Sequence, residues 1–158
     1  MLFRSVRFEG PGDYVDAIGA KPPGEPASVI GHLHEARVTV LSGGSVTPRH
    51  LNKHIDYSVH PAPAGVKDHS LATPVDMVVS SDGETLYVAA FGSSSVGVYP
   101  TASLEDGSFD PTVVSAGHID VSGGGPSGLA LDEANNRLYV LTRFDNSLSV
   151  VDLGTGSE

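Results

Sequence analysis

The sequence predicts an all-β fold built from repeated antiparallel sheets, and three observations carry that prediction. First, the stretch from Pro74 to Val88 returns as Pro126 to Val140, with an offset of 52 (126 − 74) that runs without a gap to the pair Val98 and Val150 (150 − 98). Second, the chain holds 19 glycines and 11 prolines with only 6% aromatic residues, a composition suited to short strands joined by turns. Third, apolar and polar residues alternate in short runs, as in Ser147-Leu148-Ser149-Val150, the period of a half-buried strand. A fixed period of this size, made of short strands, is the signature of a β-propeller blade.

The elements follow in order. Val38-Thr39-Val40-Leu41 fits the third strand of a first unit, and His54-Ile55-Asp56-Tyr57-Ser58 its fourth. An inner strand follows Pro74. The Asp82-Gly83 turn leads into Leu86-Tyr87-Val88-Ala89-Ala90, because this dipeptide favours a tight hairpin. Ser95 to Tyr99 is the third strand of that unit, and His118-Ile119-Asp120-Val121-Ser122 the fourth, echoing His54 to Ser58. That echo is spaced by 64 (118 − 54) rather than 52, which implies an insertion at Val59 to Ala72. The last unit has an inner strand at Gly128 to Leu131, a turn at Ala134-Asn135-Asn136, and strands at Arg137 to Leu141 and Ser147 to Asp152. No segment carries a helical period, although Thr101 to Asp106 could close one turn. Gly10 to Leu33, Val59 to Leu71 and Thr101 to Thr112 stand outside the repeat and read as loops. The expected organisation is one partial domain over 1–158. Residues 1–72 form a blade remnant with long loops, 73–122 a complete blade, and 123–158 most of another, so two to three four-stranded blades in all.

Composition excludes several functions. With 19 acidic against 9 basic residues and a net charge of −10, the chain lacks the basic footprint that nucleic acid requires. No apolar run approaches the length of a membrane-spanning helix. The absence of cysteine rules out disulfides, thiolate metal sites and covalent c-type haem attachment within these residues. Met1 to Arg7 has no apolar core of signal-peptide length.

The order of proline, apolar strand, Asp-Gly or Asn turn, Leu-Tyr-Val, then Asn-Ser-Leu-Ser-Val-Val-Asp resembles the YVTN-type β-propeller repeat. Pro126 to Asp152 matches best, and Pro74 to Tyr99 nearly as well. The eponymous tetrapeptide is half present, as Tyr87-Val88-Ala89-Ala90 and Tyr139-Val140-Leu141-Thr142. The resemblance is specific for fold and transfers no catalytic residue. Together with a similarity of the long-loop segments to large bacterial propeller proteins, it implies a periplasmic or secreted protein, sometimes with a cytochrome domain downstream.

Candidate chemistry centres on histidine. Five of the seven histidines are His32, His34, His50, His54 and His60. His32-x-His34 and His50-x-x-x-His54, with Glu35 or Asp56, have the residue types of a zinc site, since neutral imidazole is a good ligand. No His-Glu-x-x-His motif accompanies them, and loop histidines bonded to backbone are the plain alternative. Asp76, Asp82, Asp132 and Asp145 could line a propeller mouth, but no spacing pairs them for acid–base work. Ser122-Gly123-Gly124-Gly125-Pro126 lacks the Lys-Ser/Thr of a phosphate loop and reads as a turn. Arg143 and Phe144 sit at a turn where a ligand could be met.

The sequence therefore predicts a non-catalytic scaffold or binding module, a fragment of a larger exported bacterial protein, with no cofactor in these residues. Its partners would be the remaining blades or copies of itself, with a protein or small molecule as possible ligand. Two alternatives stay open. One is the propeller portion of an enzyme, either a redox protein with its haem elsewhere or a lactonase-like hydrolase. The other is an arc that closes by self-assembly.

Overall fold

A computed structural model describes residues 2–8, 34–59 and 61–158, the backbone alone for 2–8 and 34. Three antiparallel sheets form in chain order. The first contains β1 (Leu2–Phe8), β2 (His34–Ser42) and β3 (Ser45–His50), with β2 in the middle. Gly43 and Gly44 join β2 to β3 with φ of 56° and 83°, the left-handed pair that a two-residue hairpin demands. Pro48 is tolerated in β3 because that strand is an edge and needs no donor on its outer side.

The second sheet is β4 (Pro74–Val79), β5 (Thr85–Ala90), β6 (Ser95–Pro100) and β7 (Ile119–Asp120). The third is β8 (Pro126–Asp132), β9 (Arg137–Thr142) and β10 (Ser147–Asp152). These two sheets repeat each other in register as well as in sequence. Pro74 pairs with Ala90 and Pro126 with Thr142, and a bulge follows each proline at the same place. Ser94 and Asn146, also 52 apart (146 − 94), both hold φ near +55°, at 54° and 56°.

The sheets stack through two cores. Val38, Leu51 and Leu71 meet Leu86, Val88, Ala90 and Tyr99 in the first. In the second, Val96, Ile119 and Val121 meet Leu138, Val140 and Val151. The second sheet feeds both cores from its two faces, Leu86 and Val88 to the first and Tyr87 to the second, because neighbouring strand residues point opposite ways.

Three expectations change. Val38 to Leu41 lies in the central strand of its sheet, not in a third position. His54 to Ser58 forms a turn, not a strand. Its side chains bond locally instead: Asp56 accepts from the backbone N–H and the hydroxyl of Ser58. That Asx turn competes with strand pairing, so the echo with His118-Ile119-Asp120 is one of letters only. The Thr101 to Thr112 linker contains α1 (Thr101–Asp106) and the start of α2 (Pro111–Val114). Asp110 caps α2 by accepting from Thr112 N–H at 2.9 Å, with proline in the first helical turn. The turn expected at Gly123 to Gly125 is present, and it is packed. Gly124 and Gly125 hold φ of 61° and 54°, and a Cβ on either would strike the Phe144 ring at 2.6 and 2.8 Å. Gly10 to Leu33 lies outside the described residues.

Candidate functional site

The insertion at Val59 to Ala72 folds back onto the first two sheets, and buried Asn52 anchors it. Asn52 donates to the Leu71 carbonyl at 2.7 Å and accepts from Leu71 N–H at 2.8 Å. This satisfies both main-chain groups of a residue that is only 1% exposed. A 3-10 turn at Val66–His69 follows Gly65, whose φ of 89° begins it. His54 Nε2 lies 3.0 Å from the Val66 carbonyl oxygen, and the Ser70 hydroxyl donates to the same oxygen at 2.9 Å. Across the junction, Arg49 donates to the carbonyls of Leu104 and Glu105, and Lys53 to that of Gly107 at 2.8 Å. Cations thereby meet the carbonyl end of α1.

This packing brings the His54 and His69 imidazoles together, with His118 near enough to feel the charge of His69. The rings of His54 and His69 meet edge to face, with centroids 6.0 Å apart. His69 Nδ1 lies 2.7 Å from Ser115 Oγ. His118 packs against Tyr99 at 5.6 Å. Burial pushes the His118 imidazole down to about 4; Asp120 draws it up and His69 pushes it further down. Burial likewise raises the Tyr99 phenol. His54 Nδ1 and His118 Nε2 are buried without a hydrogen-bond partner.

Beside this cluster opens a cleft of about 500 Å³, lined by Lys67, Asp68, Ser70, Ser93, Ser95 and Asp120 among others. Ser95 donates to Asp120 at 2.8 Å, and the Ser93 hydroxyl accepts from Ala72 N–H at 2.7 Å. The cleft offers one ammonium, two carboxylates and several hydroxyls. It is a surface for hydrogen bonding and charge recognition.

Of the histidines singled out from sequence, the described ones lie in different surroundings. His32 and His60 lie outside the described residues, and His34 opens β2. His50 stacks on Tyr57 at 6.2 Å, while His54 belongs to the imidazole cluster. Glu35 pairs with Arg37 at 2.8 Å. Among the described residues, no three His, Asp or Glu side chains converge in a group able to hold a metal ion. The four aspartates each hold structure, three of them locally and Asp76 across to the next sheet. Asp76 accepts from Leu129 N–H at 2.8 Å, and Asp132 caps the turn at Asn135. Asp82 is held below the usual carboxylate range by the Ser80 hydroxyl, and Asp145 by Ser147 and Thr142. Phe144 is 65% exposed and meets Phe91 edge to face at 5.2 Å; Arg143 N–H is held by the Gly124 and Gly125 carbonyls. Sequence reasoning did not single out His69, and it read His118 only as part of a strand. Their meeting depends on where the insertion docks, which no local pattern encodes.

Successive antiparallel sheets with a polar cleft at an insertion define a repeat-sheet protein of mostly β structure. No protein-family model matches the sequence, and no curated protein does. Among solved structures, a chain of Kuenenia stuttgartiensis hydrazine synthase superposes with a TM-score of 0.62 and 16% sequence identity, over 96% of this chain and 41% of that one. The likeness is one of fold, and this chain spans less than half the length of the chain it resembles.

Proposed function

We propose that the chain is an arc of a YVTN-type β-propeller, acting as a non-catalytic scaffold or binding module within a larger exported protein. The cleft beside Lys67 and Asp120 is its ligand-facing site. The observation that carries this reading is the repetition in register of β4–β6 by β8–β10, with the first strands of successive sheets (β1 to β4, β4 to β8) in contact. Stacked units joined through their first strands are the geometry of blades around an axis. Electron microscopy of the intact polypeptide tests it. Class averages with sheets radiating from one axis, β4 and β8 innermost, are expected. A linear stack without a common axis overturns the reading.

A second reading, the propeller portion of an enzyme, is favoured by one fact: the similar fold belongs to a chain of a synthase. Its redox form predicts a haem absorbance band in the intact purified protein, which the scaffold reading does not.

A further inference from the structure

We propose that the outward face of the β8–β9–β10 sheet is the seat of a further sheet of the same repeat, carried on the same polypeptide. The proposal rests on the propeller reading and names the surface through which the arc continues. The chain contains its own comparator. On the second sheet, Val78, Tyr87, Ala89, Val96 and Val98 face the third sheet, where Leu129, Leu131, Leu138, Val140 and Val151 pack over the same core. Shifted by 52, that first set becomes Ala130, Tyr139, Leu141, Leu148 and Val150, one continuous face by strand register. The chemistry is kept and the cover is missing. Val96 is 0% exposed and its counterpart Leu148 is 59%; Ala89 is 0% and Leu141 is 42%.

An apolar face of this kind marks an interaction surface, and the repeat specifies the occupant: a sheet bearing a Leu- and Val-rich face like that of β8–β10. Order along the chain specifies its source. The second sheet covers the first and the third covers the second, each supplied by the next stretch of polypeptide. One contact differs. Asp76, which bonds to Leu129 N–H, has Gly128 as its counterpart. The next junction therefore lacks that carboxylate and closes on apolar contact.

The chain has no cysteine, so Leu148→Cys places a single thiol on this face. Maleimide labelling, read by peptide mass mapping, is compared between the 158-residue chain and the intact polypeptide expressed from its gene. Val113→Cys, at a position 67% exposed on α2, is the accessible control. Val150→Cys is the second probe should the first variant misfold. Labelling at position 148 in the intact protein is expected to be slower by about 100-fold, since it then requires local opening of a packed junction. Equal labelling in both forms overturns the proposal. Protection in the 158-residue chain together with a dimer mass by light scattering also overturns it, because a second copy is then the occupant. A common axis by microscopy with position 148 freely labelled defeats this proposal alone. Sheets without a common axis defeat the reading beneath it.

Discussion

Asn52 shows how much of this fold one side chain can hold. Its amide satisfies both main-chain groups of Leu71, and with them the end of the insertion that forms one wall of the cleft. Removing it leaves a buried donor and a buried acceptor unpaired. Asn52→Ala is therefore expected to cost about 2–4 kcal/mol of stability, measured by the urea midpoint at constant slope. Asn52→Asp keeps the acceptor but sets a carboxylate oxygen against the Leu71 carbonyl, and should cost at least as much. A midpoint unchanged in Asn52→Ala would show that the insertion is not anchored there. Nothing in the sequence singles out Asn52, because its partner is 19 residues away and chosen by folding.

At the level of elements, His118 is buried against Tyr99 of β6, with Asp120 of β7 and His69 of the insertion near it, and this gives stability a pH dependence with a defined sign. The folded imidazole is lowered to about 4 from its ordinary 6.5. Between those values the unfolded chain binds the proton and the folded chain does not. The stabilisation is complete above pH 6.5 and is lost as pH falls towards about 4. His118→Phe keeps a ring against Tyr99 and should flatten the urea midpoint across that window; an undiminished slope would assign the effect to other groups. The elements themselves were unevenly legible. Arg137 to Leu141 and Ser147 to Asp152 could be read almost to their ends, because alternation and turn residues agreed. The identity of β2 could not, since Val38-Thr39-Val40-Leu41 reports that a strand exists but not which neighbours it takes. His54 to Ser58 misled because its polar side chains bond to nearby groups instead of joining a sheet. The site was the least legible part: His54 was visible as a candidate, but its neighbour His69 lies on an insertion without a repeat partner.

For the whole molecule, what matters is how sheets are joined. The junction between the first and second sheets is held by Arg49, Lys53 and Asn52 as well as by its core. Between the second and third, Asp76 reaches across to Leu129 and Glu133 accepts from Ser81 N–H at 2.9 Å. Asp76→Ala is expected to cost about 1–3 kcal/mol, as for a hydrogen bond to a charged group, and to lower hydrogen-exchange protection of the Leu129 amide before that of the β5 amides. Asp76→Asn, which keeps an acceptor, should restore most of it. Loss of protection in all sheets together would show that they unfold as one unit. The same contact bears on timing. A main-chain donor in β8 is satisfied by a carboxylate from β4, so at this contact the earlier sheet supplies what the later one needs. Synthesis proceeds in that direction. The third sheet leaves the ribosome with the acceptor for its Leu129 amide already in place.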